Sequence, residues 1–471
     1  MVDRYGEAEP VLPLQDLSAI RAADALRVDW PETDAIIGNP PFLGAKLIRP
    51  SLGDAYADWL IRGFGVGVKD LCVYWFRKAH AHLSPGQRAG LVATNSISQT
   101  ATRGASLDHI LATGGVITSA VSSQKWPGDA KVHVSIVNWL RGASDTDTFD
   151  LDGREVGAIS SSLSPSSGPD YSPVRLPANL GKCFAGVVPQ GKGFVLDDAS
   201  ARGFLADGGA NYADVVRAFL TGQDLVRRPR QDASRWIIDF GSRPLEEAMR
   251  YPRALARLRD TTRVERESSA NRAVESRWWL FGRRVEGMRD AVDGKPRYAA
   301  AAATSKRLEL AWVDGATCPM NTVVVFALDD DYSFGVLASA AHEAWAWAQS
   351  STLKGDLRYT NKAVFDTFPW PDAVADEQRD AIAEASGALN VRRSELCIEH
   401  DLGLTKLYNL MDDGAFQDLA ALHRRLDEAV VAAYGWPKSI AQDADALVAR
   451  LTERNREISQ GERPYAPFVT P

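Results

Sequence analysis

A chain of 471 residues is too long for a single hydrophobic core and points to about three domains. Hydrophobic residues make up 45% and charged residues 24%, an ordinary globular balance, and no run of 18 apolar residues offers a membrane span. The net charge of −7 argues against nucleic acid as a partner of the whole surface, and Cys72, Cys183, Cys318 and Cys397 are too scattered for a disulfide framework or a zinc site.

The start, MVDRYGEAEPVLPLQD, has no apolar stretch after basic residues and does not read as a secretory signal, so a cytoplasmic location with reduced thiols is expected. IRAAD (20–24) and DAIIG (34–38) are brief apolar runs stopped by polar or Gly/Pro signals, and both read as short buried strands. DLCVYWFRKAHAHL (70–83) reads as a helix with Leu71, Tyr74, Trp75, Ala79 and His82 roughly along one face. Pro85-Gly86 breaks it, and AGLVATN (89–95) is the next strand. SLDHILAT is a short helix; VITSAV (116–121) and KVHVSIVNWL (131–140) are strands. This order predicts a largely parallel α/β sheet.

Residues 141–172 are rich in Ser, Asp and Gly and read as a boundary with at most one hairpin. A mixed region follows from about 180 to 371, and 373–456 is almost wholly helical. The expected division is therefore an α/β domain over 1–145, a linker over 146–180, a mixed α/β domain over 181–371 and a helical domain over 372–471. Residues 225–310 hold 20 Lys plus Arg against 12 Asp plus Glu, in a chain that is otherwise acidic. Such a segment is either a local phosphate-binding face or a set of solvated ion pairs.

The richest chemistry lies in DAIIGNPPFLGAKLI (34–48). Proline fixes φ and discards a donor, so Pro40-Pro41 after a strand forces a stiff, extended exit from the sheet. In an open α/β sheet that exit is the carboxyl edge, where ligands bind. Asn39 then presents an amide oxygen beside a backbone carbonyl, two acceptors that suit both hydrogens of an amino group. Phe42 adds a flat face for a planar ring. An adenine has both features.

DAIIGNPPF resembles the catalytic motif of the amino-methylating DNA methyltransferases, in which Asn or Asp is followed by Pro, Pro and Tyr or Phe. RAADAL (21–26) resembles that family's third motif. The resemblance implies that Asp24 receives the adenine amino group of S-adenosylmethionine and that Ala25 makes a backbone contact. KWPGDAKVHVSIVNWL (125–140) resembles the late hairpin that stacks an aromatic residue on the flipped base, a place held here by Trp126. Three further blocks resemble the MmeI-like branch, which joins modification to sequence recognition in restriction-modification systems. VVRAFLTGQDLVRRPRQDASRWIIDFG (215–241) is similar to the entry of its target-recognition domain, STLKGDLRYTNKAVFDTFPWP (351–371) to the exit, and LYNLMDDGAFQDLAALHRRLDEAVVAAYGWP (407–437) to its helical tail.

What this implies is a Rossmann-like methyltransferase sheet lacking its first strands, a target-recognition domain and a helical C-terminal domain. The implied reaction is transfer of a methyl group from S-adenosylmethionine to the exocyclic amine of an adenine flipped out of double-stranded DNA, with Asn39, Pro40, Pro41 and Phe42 at the site and no metal. The family's glycine-rich cofactor turn is not found before Asp24, and GFGVGVKDL (63–71) follows an expected helix rather than a strand. No nuclease segment is found either. The expectation is a split or truncated enzyme, its glycine-rich half and nuclease supplied by a separate polypeptide, with poor cofactor binding alone. The alternative is an inactive DNA-binding specificity subunit.

Arg227, Arg228, Arg230, Lys306, Arg307, Lys354, Arg358 and Asn361 are the candidate DNA contacts, most of them to phosphates. Trp278 and Trp279 in WWLFGRR read as core, FPWP (368–371) as a rigid strap, and His133 and His342 as structural.

Overall fold

The run AIIG forms strand β1 (Ala35–Gly38), which pairs in parallel with β2 (Arg88–Thr94), Ala35 opposite Arg88 and Gly38 opposite Leu91. The computed structural model to which they belong describes residues 20–126, 132–144, 146, 148–164, 173–267, 271–353 and 356–468. It divides into two compact units, Met1–Pro165 and Ser166–Pro471.

In the first unit β1 is followed by α1 (Ala45–Leu52), α2 (Asp54–Phe64) and α3 (Leu71–His82), all before β2. Then come the short helices α4 (Thr100–Arg103) and α5 (Leu107–Ala112), strands β3 (Gly115–Lys125) and β4 (His133–Arg141), and the hairpin β5 (Phe149–Leu151) with β6 (Arg154–Val156). The sheet order is β1-β2-β4-β3-β5-β6.

Three sequence expectations need correction. The sheet is mixed, because β4 lies antiparallel to both β2 and β3 and only β1–β2 and β3–β5 run parallel. The link from VITSAV to KVHVSIVNWL is too short for the dozen residues a parallel crossover needs, so the chain turns straight back. IRAAD is not a strand but the entry to a turn. Arg27 and Val28 return their N–H groups to the Asp24 carbonyl at 2.9 and 3.1 Å, and the Asp24 side chain accepts the Leu26 N–H at 3.0 Å. An Asp that bonds its own downstream backbone competes with strand pairing. Finally, β1 is not buried: Ile37 is 87% exposed, since β1 ends the sheet among the described residues.

Helix α3 is buried over most of its circumference rather than along one stripe, because it packs on two sides. Phe76 stacks on Trp139 of β4 with ring centroids 5.2 Å apart, while Leu71 and Tyr74 close a second cluster with Ile48, Ala57 and Leu60 of α1 and α2. That double contact fixes the loop between β1 and α1.

The second unit holds two four-stranded sheets and a three-stranded ribbon. One sheet runs Cys318–Pro319, Val216–Leu220, Arg235–Ile238, Val195–Leu196; the other runs Leu310–Asp314, Arg297–Ala302, Val323–Phe326, Cys183–Ala185. The ribbon is Thr304–Ser305, Asp356–Arg358 and Ser351–Leu353. A continuous apolar cluster extends from these sheets into the helices Asp376–Glu399, Leu404–Asp412, Gln417–Ala433 and Ala444–Ser459. Helix Asp376–Glu399 approaches Asp331–Leu337 so closely that a Cβ on Gly335 would meet Ile382 Cγ2 at 2.6 Å. Phe368 and Trp370 of FPWP are fully buried, and Trp278 and Trp279 pack against the same core. His342 is buried and bonded to the Leu337 carbonyl and the Tyr359 hydroxyl; burial pushes its pKa down to about 4. Among the described residues no helix is long and apolar enough to cross a membrane, and no group of His, Cys, Asp or Glu could hold a metal ion.

Candidate active site and recognition surface

Asn39 leaves the carboxyl end of β1, just past the pairing of Gly38 with Leu91 of β2. Its side chain is exposed and, among the described residues, its amide has no hydrogen-bond partner. Pro40 is buried, Pro41 exposed and Phe42 half-buried, so the ring and the first proline anchor the corner while the amide stays open. Asp70, which the sequence reading had not singled out, ties this loop to its surroundings. Its Oδ1 accepts the Ala45 N–H at 2.9 Å and its Oδ2 the Ser96 hydroxyl at 2.8 Å, bridging the segments that leave β1 and β2. Next to it the Leu71 N–H bonds the Leu43 carbonyl at 2.8 Å. The only early hint was an acidic residue immediately before a helix.

The turn that carries Asp24 and Ala25 is held from α3. Lys78 Nζ donates to the carbonyls of Ala25 and Leu26 at 2.9 and 3.0 Å and also to Val28, and it lies 5.0 Å from the Trp30 ring centroid. Burial lowers its pKa. The Trp30 indole N–H also donates to the Ala25 carbonyl, at 2.8 Å, whereas the Ala25 N–H has no partner among the described residues. The Asp24 side chain remains 37% exposed. Besides Leu26 it accepts the Tyr56 hydroxyl of α2 at 2.8 Å, and the Arg27 guanidinium, resting over the Tyr56 and Trp59 rings, approaches within 3.6 Å. Burial, and then Asp24, push the Tyr56 pKa up to about 12, so this hydroxyl stays a donor. Each carboxylate oxygen keeps a lone pair for an incoming amine. The turn thus offers an acceptor of fixed orientation beside an N–H that has no partner among the described residues.

Trp126 directly follows β3, half-buried, with its N–H bonded to the Val132 carbonyl at 3.0 Å. Residues 127–131 of the expected late hairpin lie outside the described residues. The glycines of GFGVG close α2: Gly65 is its left-handed C-cap, φ 66°, and bonds back to the Ile61 carbonyl. They form a helix stop rather than a strand-to-helix phosphate-type cradle.

In the second unit much of the basic segment is structural. Arg266, only 3% exposed, donates to the carbonyls of Pro189, Gln190 and Leu280 at 2.7, 3.0 and 2.8 Å. Arg289 makes a two-pronged pair with buried Asp239 at 2.7 and 3.0 Å, and Arg257 donates to the carbonyls of Gly193 and Val195. Of the expected DNA contacts, Arg228 is engaged by Asp232 at 2.8 and 3.0 Å, and Arg307 by Asp412. Arg227, Arg230, Lys306 and Arg358 are exposed with no ion pair among the described residues. Asn361 is half-buried, and Lys354 lies outside the described residues.

Lys306 and Arg307 border an open groove of about 610 Å³. Glu343 and Trp347 from helix Ala340–Gln349, Asp356 from the ribbon, and Asn409 and Asp412 from helix Leu404–Asp412 complete its walls. Burial raises the Glu343 pKa.

Residues 1–149 match the family model described as the DNA-methyltransferase domain of MmeI, and residues 176–372 match the model described as its target recognition domain. DNA methyltransferase A of Bacillus subtilis (strain 168) is 23% identical over 474 residues, covering 95% of this chain and 51% of that protein. The solved Type IIL restriction-modification enzyme MmeI, in complex with DNA, superposes with a TM-score of 0.80 at 23% identity, over 98% of this chain and 62% of that one. The likeness to the solved enzyme is one of fold. The chain spans about half the length of the curated relative it matches.

Proposed function

Because this chain belongs to the MmeI family of restriction-modification methyltransferases, we propose that it carries the methyl-transfer and sequence-reading parts of an adenine-N6 DNA methyltransferase. The observation that carries this reading is the uncommitted amide of Asn39 at the carboxyl end of β1, on a backbone stiffened by Pro40 and Pro41. Among the described residues no hydrogen-bond partner accounts for that amide.

Adenine inside a duplex hides its amino lone pair in the stack, so the target base is extruded at a cost of a few kcal/mol. Phe42 and Trp126 return roughly 1–3 kcal/mol per ring by stacking. The Asn39 amide oxygen and the Pro40 carbonyl accept the two amino hydrogens and turn the nitrogen lone pair outward. S-adenosylmethionine, when bound, supplies an electrophilic methyl group on a sulfonium. Asp24 would accept the amine of the cofactor's adenine and the Ala25 N–H would donate to its ring, while Tyr56 and Lys78 keep that turn in place. The rate gain comes from orientation and fixed dipoles. The glycine-rich turn for the cofactor's other end would come from a further segment, such as a separate polypeptide.

One observation favours the second reading, a DNA-binding specificity subunit without activity: among the described residues the glycines of 63–67 end a helix. Co-purification with a glycine-rich partner, followed by nucleoside analysis of the treated duplex, separates the two. The proposal expects N6-methyladenine; a bound but unmodified duplex would support the specificity subunit.

A further inference from the structure

We propose that helix Leu404–Asp412, in the helical C-terminal part, is a wall of a base-reading groove, and that its Asp412 orients Arg307 to read a guanine. This deepens the recognition role proposed above and rests on it.

The helix is fastened to the recognition elements at three levels. At its start, a Cβ on Gly403 would fall 2.4–2.5 Å from the backbone of Arg227, so the two segments touch with no room for a side chain. Within the first turn, the Thr405 hydroxyl donates to Glu309 Oε2 at 3.2 Å. At its end Asp412 pairs with Arg307, and Asn409 faces the same groove. A helix serving only to complete the core would not need a carboxylate on a partly exposed arginine.

The chemistry of the groove distinguishes bases from backbone. A phosphate cleft is cationic throughout, but here Lys306 and Arg307 stand among three carboxylates, an amide and the indole of Trp347, which is 37% exposed. Mixed donors and acceptors beside a flat apolar face match a base edge. Arginine reads guanine through a planar fork of donors, and a free arginine loses much rotamer entropy in making that contact. Asp412 engages the guanidinium at Nη2, so the fork is partly ordered before DNA arrives.

Selection of bound duplexes from a randomised pool by the full chain tests this. The wild type is expected to yield a consensus containing a guanine whose preference falls roughly tenfold in Arg307→Ala and in Asp412→Asn, with the other positions retained. Arg307→Lys keeps the charge but not the fork, and should relax the same position. Asp412→Glu should restore part of the preference. A thermal melt of each variant confirms folding; Asp412 is 47% exposed, so its replacement should leave the melt unchanged. An Asp412→Asn consensus identical to the wild type, or one weakened equally everywhere, would overturn the assignment. A wild-type pool with no consensus would instead overturn the recognition reading on which it stands.

Discussion

The corner at Asn39 and the basic segment over 225–310 use polar side chains in opposite ways. At the corner one amide is exposed and, among the described residues, unpaired, while the backbone around it is pinned by prolines and by Asp70. In the basic segment some charges are turned inward instead, with Arg266, Arg289 and Arg257 bracing loops and carbonyls while many others stay at the surface. A net positive count does not reveal which cations are struts and which stay open to a partner. Among the described residues Arg227, Arg230 and Lys306 are exposed without an ion pair, as is Arg358 beyond the segment.

A paired substitution sharpens this contrast most strongly. Arg266→Ala strands several buried carbonyls and should destabilise the second unit by about 3–5 kcal/mol, read as a lower urea midpoint. Arg230→Ala should leave that midpoint in place, weaken duplex binding a few-fold, and reduce the salt slope of log K by about 1. A stable Arg266→Ala chain with weakened DNA binding would reverse the assignment of strut and contact.

A smaller effect is expected from Glu309, the residue that links the Leu310–Asp314 strand region to Thr405. Burial pushes its pKa up from 4.5 to about 7, against the opposing pull of Thr405 and Arg393. A raised carboxyl pKa contributes stability that is complete below about 4.5 and is lost as pH rises through about 7. Glu309→Gln should therefore flatten the fall in unfolding free energy over that window. His423 works the other way: burial pushes it down to about 4, so its contribution is present above 6.5 and lost as pH falls through about 4. Denaturant melts of both chains across pH 5–8 isolate the Glu309 component.

How much of this was legible in the sequence follows from the range of the forces. Helices α3 and α5, strands β3 and β4 taken singly, and the strap FPWP were readable because local periodicity and Gly/Pro signals specify them. IRAAD is apolar enough for a strand, but the Asp24 side chain bonds Leu26 two residues on and diverts the chain into a turn. The mixed sheet was legible in the short β3–β4 link, had its length been weighed against the reach of a crossover. At the site, the Asn-Pro-Pro-Phe corner needs four consecutive residues and stands out. Asp70, Tyr56 and Lys78 had no such signal. Nor did the groove, whose Thr405–Glu309 bond joins residues 96 apart in the chain.

The account depends above all on the Asn39 amide receiving the amino group of an extruded adenine. Methyl incorporation into duplex DNA by the co-purified wild-type and Asn39→Ala proteins, at matched DNA occupancy, tests that dependence most directly. A fall on the order of 10²-fold or more with unchanged duplex binding is the predicted result. Equal incorporation by both proteins would contradict it.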